Sequence, residues 1–173
     1  MTKSKKVAII ALLTALSLIS FILESLLPPL FIPGAKIGLA NIFTMLCLIW
    51  FGLPEALITL AAKILLAAVF GGFSQVLYSA PAGLISLLVA FVFVRFLPNK
   101  ISICAVCALS AVIHNLTQLA VFGMVTQASV IYYAPYLAIA GALAGTITGL
   151  AAFFVLKRRE HIQKLNEKDV ENA

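Results

Sequence analysis

His114, Asn115, Thr117 and Gln118 put four polar side chains within five consecutive positions of an otherwise apolar stretch, residues 101–156. At helical spacing His114 and Gln118 share a face, with Asn115 inside the same turn. Such neutral groups both donate and accept hydrogen bonds, so the chemistry they offer is the holding of a polar ligand. Glu24, Lys36, Asn41, Lys63, Gln75 and Tyr78 are the other candidates, spread along the chain. Catalytic sets are missing. Asp169 is the sole aspartate, so no carboxylate cluster is there to bridge Mg²⁺ to a diphosphate. The chain has no Gly-rich Lys-Ser/Thr loop for ATP, no HExxH pair and no Ser/His/acid set. Cys104-x-x-Cys107 has a paired spacing, but no His or carboxylate lies near it in sequence. These thiols, with Cys47, read as buried apolar side chains. The chemistry expected is therefore binding without catalysis, metal or resident cofactor.

The elements that position these groups follow from composition. Of 173 residues 63% are apolar and 10% charged, with a mean hydropathy of +1.14. A soluble domain carries roughly 25% charged residues, so this surface has to face lipid. The net charge of +6 could point to nucleic acid, but the charges cluster at the ends of apolar runs, which excludes that partner. The expected fold is an all-α integral membrane bundle of six transmembrane helices in a single domain. The spans fall at about 7–27, 37–53, 54–71, 77–97, 101–123 and 130–157. Spans two and three are short, joined by Phe51-Gly52-Leu53-Pro54, and either cross fully or form a re-entrant hairpin. The parity of the later spans is the same in both cases.

Orientation follows from the basic residues. With the N-terminus inside, Lys3, Lys5, Lys6, Arg95, Lys100, Lys157, Arg158, Arg159, Lys164 and Lys168 are inside and Lys36 alone is outside. Both ends are then cytoplasmic. The organisation reads as a basic N-terminus over 1–6, a membrane domain over 7–157 and a charged tail over 158–173, a short helix that frays. The first apolar run is too long for a signal peptide and lacks a cleavage site, so it reads as an uncleaved helix.

On this topology the polar residues gather in the outer halves of the spans, with Lys63 near mid-membrane. Polar groups at membrane depth are expensive and mark functional sites. The pattern predicts a pocket that opens outward above packed apolar helices, with the proline-stiffened loop 28–36 available to cover it. Lys63 pairs with Glu24 or receives an anionic ligand group. Glu55 reads as an acid favoured by a helix N-terminus. For each single Asn, Gln or Ser, interhelical hydrogen bonding that fixes packing is the alternative role.

Small residues give the last signal. Gly141, Gly145 and Gly149 form a packing stripe, and Ala11 and Ala15 lie four apart in the first span beside Ala8. Ala11-x-x-x-Ala15, with six spans and both ends inside, resembles the substrate-binding S component of energy-coupling factor (ECF) transporters. Pro33-Gly34-Ala35-Lys36-Ile37-Gly38-Leu39-Ala40-Asn41-Ile42, the Gly71-Gly72-Phe73-Ser74 turn and His114-Asn115 with Gln118 resemble the Gx transporter family. Members of that family often carry the label heptaprenyl diphosphate synthase component I. The resemblance covers roughly residues 7–156. It implies a binding protein of a bacterial cytoplasmic membrane that captures a small cofactor-like ligand, flavin- or quinone-related, from the outer face. It also implies a transmembrane coupling subunit, met at Ala11 and Ala15, and cytoplasmic ATPases. The other reading is a non-catalytic scaffold in a redox complex of extracellular electron transfer or in an isoprenoid or menaquinone synthesis complex.

Overall fold

A computed structural model describes residues 2–26, 39–71, 73–97, 100–127 and 129–171, with side chains for 2–24, 40–69, 76–97, 100–127 and 129–158. Lys36 and the side chain of Gln75 lie outside the described residues, as does the loop 28–36. The described elements are α1 (Lys3–Leu26), α2 (Leu39–Phe51), α3 (Leu53–Gly71), α4 (Phe73–Phe96), α5 (Ile103–Thr126) and α6 (Ala134–Glu171). A 3₁₀ turn, Ile131–Tyr133, precedes α6.

Large apolar side chains point away from the bundle: Leu12 and Leu23 on α1, Leu65 and Val69 on α3, Leu143 and Phe154 on α6. Water does not tolerate apolar surface on that scale, and lipid does. Lys3–Glu24, Val76–Phe96, Ile103–Thr126 and Ile131–Arg158 are each long and apolar enough to cross a membrane. The chain is thus an α-helical membrane protein. The 13 residues of α2 extend only about 20 Å at 1.5 Å per residue, against a hydrocarbon core of about 30 Å. The second span, expected over 37–53, is thus described as a short helix ending at Phe51, and residues 37 and 38 lie outside the described residues.

Local chemistry explains the helix ends. Gly52 turns the chain between α2 and α3 with φ near 101°, a conformation that glycine adopts without strain. Its N–H donates to the Leu48 carbonyl at 3.0 Å, and its carbonyl accepts from Ala56 N at 3.2 Å. Ser102 caps α5, its hydroxyl accepting from Ala105 N at 3.2 Å. Gln127 ends the same helix in the left-handed region. Helix α6 runs unbroken past residue 157 to Glu171, so the expected charged tail over 158–173 continues it as helix through Glu171.

Among the described helices α5 packs on α6 and on α4, α4 packs in turn on α3, and α1, α2 and α3 pack on one another, the α5–α6 contact being the most extensive. A Cβ built at Gly145 would lie 2.5 Å from Ala108 Cα, and one at Gly149 would lie 2.6 Å from Cys104 Cα. These glycines let the two backbones touch, as small residues do in lipid. At one end of the bundle Leu13, Leu46, Leu48, Leu60, Leu87 and Val106 form an apolar floor. The same end carries an ion pair between Lys6 and Glu55, with the ammonium 5.8 Å from the Phe51 ring centroid. Glu55 thus has a charged partner on α1 that helix-end chemistry alone did not reveal.

Candidate polar cleft among the helices

A cleft opens among the helices at the end remote from Lys6 and Glu55. Its walls include Phe21 and Glu24 of α1, Asn41 of α2, Lys63 of α3, Ser79 of α4, His114 and Asn115 of α5 and Gly141 of α6. The sequence places these groups there for local reasons. Glu24 and Asn41 sit at the end of α1 and the start of α2, where polar side chains interrupt least apolar surface. His114 and Asn115 are adjacent on α5, so one turn directs both inward.

The cleft sets buried polar groups in a largely apolar wall. Glu24 is 8% exposed, Lys63 6% and Asn115 6%. Burying such groups is costly unless they are hydrogen-bonded. Lys63 Nζ donates to Asn41 Oδ1 at 3.0 Å, linking α3 to α2. Asn115 Nδ2 donates to the Leu137 carbonyl at 3.2 Å, linking α5 to α6. A Cβ at Gly141 would come within 3.0 Å of that amide nitrogen, so the glycine leaves room for this bond. His114 Nδ1 lies 3.4 Å from Ser86 Oγ on α4. Ser17 Oγ donates to the Ala40 carbonyl at 2.8 Å and fixes the start of α2 beside Asn41.

The space is narrow. Atom-free volume between the walls is about 680 Å³ with the open mouth included, but only about 40 Å³ admits the centre of a water-sized molecule. At 10–15 Å³ per water, that is room for about three waters. A larger ligand needs the walls to part.

Of the residues singled out from sequence, the structure brings Glu24, Asn41, Lys63, His114 and Asn115 together around one cleft. Tyr78 and Gln118 are not among its walls. Tyr78 packs instead on Phe122, ring centroids 5.7 Å apart, and Gln118 is half-buried further along α5. Ala11 and Ala15 are exposed on the outer face of α1. Gly141, Gly145 and Gly149 lie in the α5–α6 contact. Sequence reasoning passed over Ser79, Ser86 and Ser110. The signal was present on α4, where Ser79, Gly83, Ser86 and Ala90 recur every three or four residues as a small, polar stripe.

Comparison with known proteins adds the lineage. No curated protein and no solved structure matches the chain. Residues 13–155 match the family described as heptaprenyl diphosphate synthase component I. Every cleft residue named above lies within that stretch, which covers most of the chain. The chain accordingly belongs to the heptaprenyl diphosphate synthase component I family, the group to which the Gx transporters are assigned.

Proposed function

We propose that this chain is the membrane-embedded substrate-binding component of an ECF-type transporter, capturing a small cofactor-like ligand from the outer face of a bacterial cytoplasmic membrane. The observation that carries this reading is the convergence of Glu24, Asn41, Lys63, His114 and Asn115 on one open cleft. The cleft lies at the end of the bundle away from Lys3, Lys5, Lys6, Arg95, Lys100 and Lys157. Basic residues flank the cytoplasmic side of membrane helices, so the cleft opens outward and both termini are inside. In this reading residues 7–157 form a six-helix membrane domain, in which the short α2 and α3 either cross fully or form a re-entrant hairpin.

The chain binds and does not catalyse. Its one aspartate, Asp169, lies in the charged tail, so diphosphate chemistry of the kind named in the family description belongs to another subunit. Uptake then needs energy from outside the chain, supplied by a coupling subunit and cytoplasmic ATPases. Ala8, Ala11 and Ala15 give α1 a shallow exposed strip against which another helix can lie closely. The ligand is flavin- or quinone-related in this reading.

Native mass spectrometry of the protein purified in mild detergent tests the proposal. A retained small molecule, lost on replacing His114 and Lys63 together, supports it. Protein without bound mass from cells grown with and without flavin or quinone precursors would count against it. That outcome would favour a non-catalytic scaffold of a redox or isoprenoid-synthesis complex, a reading supported by the word component in the family description.

A further inference from the structure

A second cavity continues the outer cleft along the bundle axis toward the apolar floor, the two sharing Asn41 and Ala111 as common walls. Four hydroxyl residues line it, one from each of four helices: Thr44 on α2, Ser86 on α4, Ser110 on α5 and Thr148 on α6. Met45, Leu60 and Leu87 supply its apolar surface.

The hydrogen bonds determine what this chamber can hold. Ser86 Oγ donates to the Gly83 carbonyl at 3.1 Å, Ser110 Oγ to the Ser86 carbonyl at 2.9 Å, and Thr148 Oγ1 to the Gly145 carbonyl at 2.9 Å. These hydroxyls have used their hydrogens within the protein, and lone pairs remain for an occupant. Thr44 differs. It is 5% exposed, and its Oγ1 has no hydrogen-bond partner among the described residues. The chamber therefore presents several acceptors and one unused donor.

Charge narrows the choice further. Among the described residues no carboxylate lines the chamber, so a buried cation finds no counter-charge there. A buried anion needs several donors and finds one. A neutral group that donates to serine and threonine oxygens and accepts from Thr44 satisfies the lining.

We propose that the inner chamber is a second compartment of the ligand site, taking the uncharged, N–H- or O–H-bearing end of a slender ligand such as an amide or imide edge. The ligand's other end then lies beside Lys63 and His114. This rests on the outer cleft being the ligand's entrance, and the test separates the two claims.

Ser110→Cys and, separately, Ser79→Cys are exposed from the outer side to hydroxyethyl, sulfonatoethyl and trimethylammonium-ethyl methanethiosulfonates, the modified site being read by peptide mass spectrometry. Site-resolved reading separates each new thiol from Cys47, Cys104 and Cys107. Ser79→Cys reports the outer cleft and Ser110→Cys the inner chamber; Thr44→Cys replaces the latter if that variant does not fold. The expected result is that both react with the neutral reagent, and that the inner site reacts at least tenfold more slowly with either charged one. Succinimide, a neutral cyclic imide, is expected to slow inner-site labelling at least threefold, whereas acetate and methylammonium at equal concentration leave it unchanged. Labelling at Ser79→Cys with none at the inner site overturns the second compartment and leaves the outer cleft standing. No labelling at either site overturns both. Equal rates with charged reagents, or no protection by succinimide, shows a chamber that holds only water, and the proposal then fails.

Discussion

Lys63 on α3 reaches the side-chain carbonyl of Asn41 in the first turn of α2, Nζ to Oδ1 at 3.0 Å, and so joins two helices through a buried ammonium. Hydrogen bonds between membrane helices average about 0.6 kcal/mol and reach about 1.7 kcal/mol; a charged donor belongs at the upper end. Asn41→Ala and Lys63→Met should each lower stability in a dodecyl sulfate titration. The double variant should lose less than the two single losses added, by about 1 kcal/mol. Simple additivity would show that the contact contributes nothing.

Gly145→Ala should be costly for its size. The added carbon would meet Ala108 Cα at 2.5 Å and the Cys107 carbonyl oxygen at 2.6 Å, both backbone atoms that cannot swing aside. Overpacking of this kind costs about 1–3 kcal/mol. Thr146→Leu, one residue along on an exposed face, should stay within about 0.5 kcal/mol of wild type. Equal melting of the two variants would contradict the close α5–α6 approach.

Thr44→Val should behave in the opposite sense. A buried hydroxyl without a partner costs about 1–3 kcal/mol, and valine keeps the shape while removing it. Ligand-free protein carrying this change should melt higher than wild type. A lower melting temperature would mean that the hydroxyl already has a bonding role.

Ala11→Trp and Ala15→Trp should leave the melting curve unchanged, since both positions are exposed on α1. Co-purification of a coupling subunit should fall at least tenfold. Normal yield of the complex would remove α1 as the docking face.

Topology is open to direct measurement. Tyr132 is 77% exposed just before α6, and Lys100 lies exposed between α4 and α5. Tyr132→Cys should be labelled by an impermeant maleimide on intact cells, and Lys100→Cys only after lysis. The reverse pattern would invert the bundle and turn the cleft inward.

How much of this was legible in the sequence depended on which physical signal each feature leaves. The helices were readable because uncharged runs of membrane length admit few other structures. Their ends were less so, since Ser102 and Gln127 set the bounds of α5 through a cap and a left-handed residue and not through hydropathy. Glu24, Asn41, Lys63, His114 and Asn115 stood out because each is polar in an apolar setting. Serine and threonine leave a weaker mark, because they can bond to their own helix: Thr148 does so with Gly145. The inner chamber, whose polar lining is largely of such residues, was therefore invisible until five helices were brought together. The Lys6–Glu55 pair joins residues 49 apart in sequence, and helix-end chemistry had already accounted for Glu55 alone.

The glycine stripe also decides how the cleft can widen. Helices α5 and α6 are seated backbone on backbone at Gly145 and Gly149, and any separation there forfeits contacts along the whole seam. Helix α3 packs on α4 as well as on α1 and α2, and Ser17 and Lys63 both bond to the start of α2. Widening of the cleft is therefore expected to leave the α5–α6 seam closed, with His114 and Asn115 keeping their place as one wall.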